Sequence, residues 1–157
     1  MNDKKTGFGA VAYKQDGEIF ITYRGTSNAS CLKSDWQMAI GKLPEQFDLA
    51  DKFYQDVKNN NPECDITLIG HSLGGSLAQL VASKYNDVPA ITLNAFGTDT
   101  IRKRNDKQFK DNHNVYNYII KGDFVSNTSK QVGETVMLDR TYVKNKHDMP
   151  NYLNRWA

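Results

Sequence analysis

Apolar residues are spaced along this chain in two ways, and the spacing separates strands from helices. Residues 7–14 and 18–24 are short runs rich in aromatic and β-branched side chains, separated by Gln15-Asp16-Gly17. An Asp-Gly pair between two such runs predicts a β-hairpin. From Pro44 onward, Phe47, Ala50, Phe53, Tyr54 and Val57 recur at helical spacing, Pro44 and Glu45 suit a first turn, and Asn59-Asn60-Asn61-Pro62 ends the helix.

Residues 65–70, Asp-Ile-Thr-Leu-Ile-Gly, form the short apolar run expected of a buried parallel strand, and Leu73, Leu77, Leu80, Val81 and Tyr85 mark a helix directly after it. Further strands are predicted at 90–96, 115–120 and, more weakly, 134–138. A basic helical segment at 100–110 lies between the first two of these. Buried strands alternating with helices predict an α/β fold whose sheet is parallel in its middle, with helices on both faces and a ligand site at the carboxyl ends of the strands. No internal repeat, low-complexity tract or linker divides the chain.

Between the buried strand and its helix lies Gly70-His71-Ser72-Leu73-Gly74. A Gly-x-Ser-x-Gly pattern is common by chance, but a strand entering it and a helix leaving it are the context of a nucleophile elbow. Such a turn lifts the serine hydroxyl above the sheet edge, and the helix N-terminus behind it favours developing negative charge. Ser72 is therefore the candidate nucleophile, and the rival reading is a serine that caps an ordinary helix.

A serine hydroxyl is a weak nucleophile near neutral pH and needs a base, with a carboxylate to orient that base. His71, the immediate neighbour of the nucleophile, is expected to point elsewhere. His147 follows the last strand in a polar loop from which an imidazole can reach over the strand ends, whereas His113 precedes a strand and belongs at the opposite edge. Asp123 follows the strand ending Ile119-Ile120-Lys121-Gly122 at its carboxyl end, and Asp99, after Phe96-Gly97, is the runner-up. His147 and Asp123 are accordingly the candidate base and acid. The oxyanion of an acyl-transfer intermediate needs two donors. The N–H of Leu73 is one, and Thr26, at the end of Tyr23-Arg24-Gly25-Thr26, is the candidate for the other.

Together these segments resemble the class 3 lipases, the fungal-lipase-like branch of the α/β-hydrolases. Tyr23-Arg24-Gly25-Thr26 with Asp35-Trp36 looks like the family's oxyanion segment and Gly70-His71-Ser72-Leu73-Gly74-Gly75 like its nucleophile motif. Gly122-Asp123-Phe124-Val125 looks like its acid motif and His147-Asp148-Met149 like its histidine motif. The resemblance spans residues 8 to 153 and implies an α/β-hydrolase fold, a triad of Ser72, Asp123 and His147, and hydrolysis of acylglycerols, phospholipids or smaller esters without a cofactor or metal. An acyltransferase, thioesterase or amidase on the same scaffold is the alternative, as is a binding protein that has lost turnover. Little precedes the hairpin, whereas the family usually carries a longer N-terminal helical region. Residues 1–157 thus read as a single lipase-like domain, minimal or truncated. The stretch between Trp36 and Pro44 is too short for a large interfacial lid, which favours an esterase or phospholipase.

Composition sets the remaining bounds. The 157 residues suit one domain, and 39% hydrophobic, 24% charged and 11% aromatic residues are ordinary for a globular protein. Twenty basic against 18 acidic side chains leave a formal charge of +2, which points to no nucleic-acid partner. Arg102-Lys103-Arg104 with Lys107 and Lys110 is a local basic cluster, read as a solvated face or a transient contact with anionic lipid headgroups. No apolar stretch is long enough for a signal peptide or membrane span, so the expectation is a cytoplasmic location or export by a signal-independent route. Cys31 and Cys64 make no metal or disulfide framework, and whether they pair is open.

Overall fold

The computed structural model describes residues 1–25, 42–127, 129–139, 146, 147 and 149. Among these residues, six strands form one sheet in sequence order: β1 (Ala10–Gln15), β2 (Glu18–Tyr23), β3 (Asp65–His71), β4 (Ala90–Leu93), β5 (Val115–Ile120) and β6 (Glu134–Leu138). β1 and β2 are antiparallel, and every later pair is parallel. The hairpin turns at Asp16 and Gly17, both at positive φ (51° and 86°), the backbone that an Asp-Gly pair reaches most readily.

Among the described residues, three helices alternate with the parallel strands: α1 (Phe47–Asn60), α2 (Leu73–Tyr85) and α3 (Asp99–Arg104). Strands laid down in sequence order by right-handed crossovers place their helices on one side of the sheet. The contacts agree. Tyr54 of α1 packs on Tyr85 of α2 at 4.5 Å between ring centroids, Phe47 meets Phe109 beyond α3 at 5.3 Å, and the Lys110 N–H donates to the Ser83 carbonyl at the end of α2. Among the described residues, then, helices pack on one of the two faces expected to carry them.

Period-two alternation sorts the side chains accordingly. Ile19, Ile21 and Tyr23 of β2, Ile66 and Leu68 of β3, Ala90 of β4 and Val115 of β5 face the helices and are buried with Leu77, Leu80, Val81 and Ile101. On the other face the paired positions Val11, Thr22, Ile69, Ile91 and Tyr116 form one row across five strands. At its ends Val11 is 63% exposed and Tyr116 is 44% exposed.

Two elements are shorter than the pattern predicts. β4 stops at Leu93 because Asn94 turns to φ 43°, which carries the chain off the sheet. The basic helix ends at Arg104, where the Asn105 N–H takes both the Ile101 and Arg102 carbonyls and closes the last turn. Arg102 and Lys103 are drawn back onto Asp99, each at 2.7 Å, which lowers the charge this segment offers to an anionic surface.

A polar cluster around the buried Asp51 fastens α1 to α2. The carboxylate of Asp51 accepts hydrogen bonds from Lys84 Nζ (2.7 Å), the Tyr85 hydroxyl (2.8 Å) and Gln55 Nε2 (2.9 Å). Asp51 alone is buried, Lys84 and Tyr85 are half-buried and Gln55 is exposed, so removing the carboxylate leaves two partly shielded donors unmet. Asp51→Ala is expected to cost about 2 kcal/mol, with part of the charge effect lost to solvent around Lys84. Thermal denaturation should then show a Tm lower by roughly 6 °C.

Cys64 is a buried free thiol. Cys31 lies outside the described residues. No described helix is long and apolar enough to cross a membrane, and no described group of side chains could hold a metal ion.

Candidate active site

The parallel register brings the carboxyl ends of β2 to β6 to one edge, with Tyr23 beside Gly70 and His71 beside Leu93. Ser72 follows β3 there and immediately precedes α2. Its backbone sits at φ 56°, ψ −127°, a region an L-residue enters only when its surroundings compel it, at a cost of about 1–3 kcal/mol. Close packing supplies the constraint. A Cβ on Gly70 would lie 2.2 Å from the carbonyl group of Gly74, and one on Gly74 would lie 2.2 Å from the Tyr23 carbonyl oxygen, so only glycines let β2, β3 and α2 meet this tightly.

His147 reaches over these strand ends. Its Nε2 lies 2.8 Å from Ser72 Oγ and its Nδ1 lies 3.1 Å from Asp123 Oδ1. A carboxylate only accepts, so Nδ1 carries the proton that it donates to Asp123, and Nε2 of the neutral ring accepts from the Ser72 hydroxyl. All three side chains are largely shielded, with Ser72 4% and Asp123 2% exposed.

Asp123 is set by the turn after β5. Gly122, at φ 80°, reverses the chain, and the Asp123 N–H donates back to the Ile120 carbonyl. Its Oδ2 accepts the Ser126 N–H at 2.9 Å. The Ser126 carbonyl in turn accepts from Gln131, which also takes a 2.7 Å hydrogen bond from Gln79 of α2. A buried network thus ties the Asp123 loop to α2, the helix that follows Ser72. Burial opposes the negative charge on Asp123, but the hydrogen bonds from His147 and the Ser126 N–H outweigh it and hold the carboxyl below the ordinary aspartate range.

That shift links to stability with a definite sign. A carboxyl whose pKa is depressed by folding stabilises the folded state above its unfolded pKa and loses that contribution as pH falls through the folded value. The free-energy difference between the wild type and Asp123→Asn is therefore expected to shrink as pH falls below about 4, the unfolded aspartate value. Urea unfolding at a series of pH values measures it.

The other candidates sort by place in the fold. Asp99 opens α3, where its carboxylate is held by Arg102 and Lys103. His113 is exposed ahead of β5, at the opposite sheet edge. Leu73 begins α2 directly after the serine. Thr26, Asp35 and Trp36 lie outside the described residues, but Gly25 is within them. A Cβ there would stand 2.7 Å from the His71 carbonyl oxygen and 3.5 Å from Ser72 Cβ, so Gly25 lies against the turn that carries Ser72.

One expectation about this edge needs correcting. His71 does not point away from the site: its ring lies 4.7 Å from that of His147, tilted by 40°, and its Nε2 lies 2.6 Å from the His147 carbonyl oxygen. Alternation places His71 on the sheet face opposite Gly70 and α2, and there its ring meets that of His147. Asn94 also escaped the sequence reading. It is fully buried after β4, and its Nδ2 donates to the Lys146 carbonyl at 2.9 Å.

Against known families, a model described as a Tle-like phospholipase domain, of phospholipase-like type, matches residues 1–149. The chain belongs to this family. A curated relative of the phospholipase-like chain, named Putative lipase ATG15, from Eremothecium gossypii, is 39% identical over 72 residues. That stretch is 46% of this chain and only 12% of the relative. Among solved structures, a triacylglycerol lipase from Penicillium expansum superposes with a TM-score of 0.58 at 17% identity, covering 90% of this chain and 68% of that one. The native Rhizomucor miehei lipase propeptide complex gives 0.59 at 16% identity, covering 88% and 55%. These structural likenesses establish a lipase-like α/β fold for the phospholipase-like chain.

Proposed function

We propose that this chain hydrolyses carboxylic esters of lipids, phospholipids foremost, through an acyl-enzyme on Ser72. The observation that carries the reading is the unbroken series Ser72 Oγ, His147 Nε2, His147 Nδ1 and Asp123 Oδ1, with separations of 2.8 and 3.1 Å, mounted on a strained turn at a helix N-terminus. As Ser72 Oγ attacks the ester carbonyl, its proton passes to His147 Nε2, and Asp123 steadies the imidazolium. The oxyanion rests on the Leu73 N–H and on Thr26. The imidazolium then returns the proton to the leaving alcohol, and water repeats the steps on the acyl-enzyme, which frees the acid and restores Ser72.

Membership of a phospholipase-like family supports the substrate class.

Incubating the protein with phosphatidylglycerol vesicles should release fatty acid and lysophospholipid in equal amounts. Release of the phosphorylated headgroup instead would place the cut at a phosphodiester and overturn the carboxylic-ester reading. Cleavage of p-nitrophenyl butyrate with none of the vesicles would keep ester hydrolysis and remove phospholipid as the substrate.

A further inference from the structure

We propose that His71 and Asn94 are positioning residues: between them they hold the consecutive carbonyls of Lys146 and His147 and so set the imidazole of His147 on Ser72. The inference rests on the hydrolase reading above and adds to it the parts of the fold that aim its base.

A general base works only within hydrogen-bond reach of the proton it takes, and a misplacement of about 1 Å costs on the order of 10²-fold in rate. The acid alone does not set that reach, because Asp123 touches the ring of His147 at one atom, Nδ1, and leaves the backbone that carries the ring to be placed by other groups. Two side chains from neighbouring strand ends take hold of that backbone. His71, the last residue of β3 and the residue before the nucleophile, has Nε2 at 2.6 Å from the His147 carbonyl oxygen. A carbonyl oxygen only accepts, so Nε2 of His71 carries the proton and donates it. Asn94, directly after β4, donates from Nδ2 to the preceding carbonyl, that of Lys146, at 2.9 Å.

Each hold is referenced to one of the other two catalytic groups. His71 is bonded in sequence to Ser72, so its hydrogen bond fixes the histidine's backbone relative to the nucleophile, and the tilted contact between the two rings limits the turning of the His147 imidazole. Asn94 uses its other amide atom on the acid's side: Oδ1 accepts the N–H of Ile120, the last residue of β5, at 2.9 Å, and Asp123 follows three residues later. One fully buried amide therefore spans the strand that delivers the acid and the segment that delivers the base. Its orientation is forced, since a backbone N–H must meet Oδ1 and a carbonyl must meet Nδ2. The residue also holds a φ of 43°, which asparagine tolerates better than other residues with a side chain.

Loss of either donor should lower the rate of the acyl-transfer step and leave substrate binding alone. For His71→Ala we expect kcat to fall about 30-fold with KM within about twofold of wild type, and the second-order rate of labelling of Ser72 by a fluorophosphonate to fall by a similar factor. His71→Gln keeps an N–H donor of similar reach and should recover to within about fivefold of wild type. Asn94→Asp keeps the shape and the acceptor for Ile120 but turns an acceptor toward the Lys146 carbonyl, and a fall of about 10²-fold in labelling is expected. Far-UV circular dichroism and melting curves establish that each variant is folded. If His71→Ala does not fold, the comparison of His71→Gln with His71→Leu and the Asn94→Asp result decide the matter.

Folded His71→Ala and Asn94→Asp proteins that label at the wild-type rate would overturn the positioning roles while leaving the hydrolase reading intact. A loss in His71→Gln as deep as in His71→Ala, or a change confined to KM, would overturn the role of His71 as a donor. A wild-type protein that takes no fluorophosphonate would overturn the hydrolase reading, and the positioning roles with it.

Discussion

Replacing Ser72 with alanine is expected to lower kcat against a p-nitrophenyl ester by about 10⁶, since triad members act as a unit and loss of the nucleophile costs about as much as loss of all three. The substitution keeps Cβ and removes only Oγ, whose 2.8 Å contact to His147 is the first link of the series. The fold should survive. The constraint on the turn comes from Gly70 and Gly74 and from the Ser72 backbone, whose N–H donates to the Leu93 carbonyl at 3.0 Å, none of which alanine disturbs. The variant should therefore melt near the wild-type temperature and retain the residual rate, about 10³-fold over water, that oxyanion donors and binding provide. Steady-state kinetics beside a melting curve check this, and a folded variant with a tenth of the wild-type kcat would refute the assignment.

Asp123→Asn should come next in size, with kcat lower by about 10⁴. The reason is the tautomer rather than the charge alone. With a carboxylate opposite, Nδ1 of His147 carries the proton and Nε2 is left to accept from Ser72. An amide that offers its N–H to Nδ1 moves the ring proton to Nε2, where it faces the very hydroxyl it should deprotonate. The amide has the size and shape of the carboxylate it replaces and still presents an oxygen to the Ser126 N–H, so the protein should fold. Asp99→Asn is the matching control: its carboxylate serves Arg102 and Lys103, and kcat should stay within about twofold of wild type. An Asp99 variant as impaired as the Asp123 variant would reverse the choice of acid.

How much of this was readable beforehand depended on how local each signal was. The hairpin was readable because Asp16-Gly17 states its own backbone requirement, and β3 was readable because a strand buried on one face and half-shielded on the other shows a short apolar run interrupted only by Thr67. The glycine-flanked turn pointed to Ser72 and the loops after strand ends to Asp123 and His147, and the structure places His147 within hydrogen-bond distance of both Ser72 and Asp123. Boundaries were less readable. β4 ends where a buried amide at Asn94 finds partners on β5 and near His147, contacts 26 and 52 residues away that no local pattern announces. His71 was misjudged for the same reason: adjacency in sequence to Ser72 gave no sign of the segment 76 residues on that its ring would meet. The side of the sheet taken by each helix is likewise a property of strand order, which periodicity leaves open.

The central claim is that an ester's acyl group passes through Ser72. Mixing wild-type protein with excess p-nitrophenyl butyrate, quenching in acid within milliseconds and digesting for mass spectrometry tests it most directly. A butyryl group on the peptide carrying Gly70-His71-Ser72-Leu73-Gly74, localised to Ser72 and absent from Asp123 and His147, is the predicted result. Rapid ester cleavage with the acyl group on another residue would contradict it.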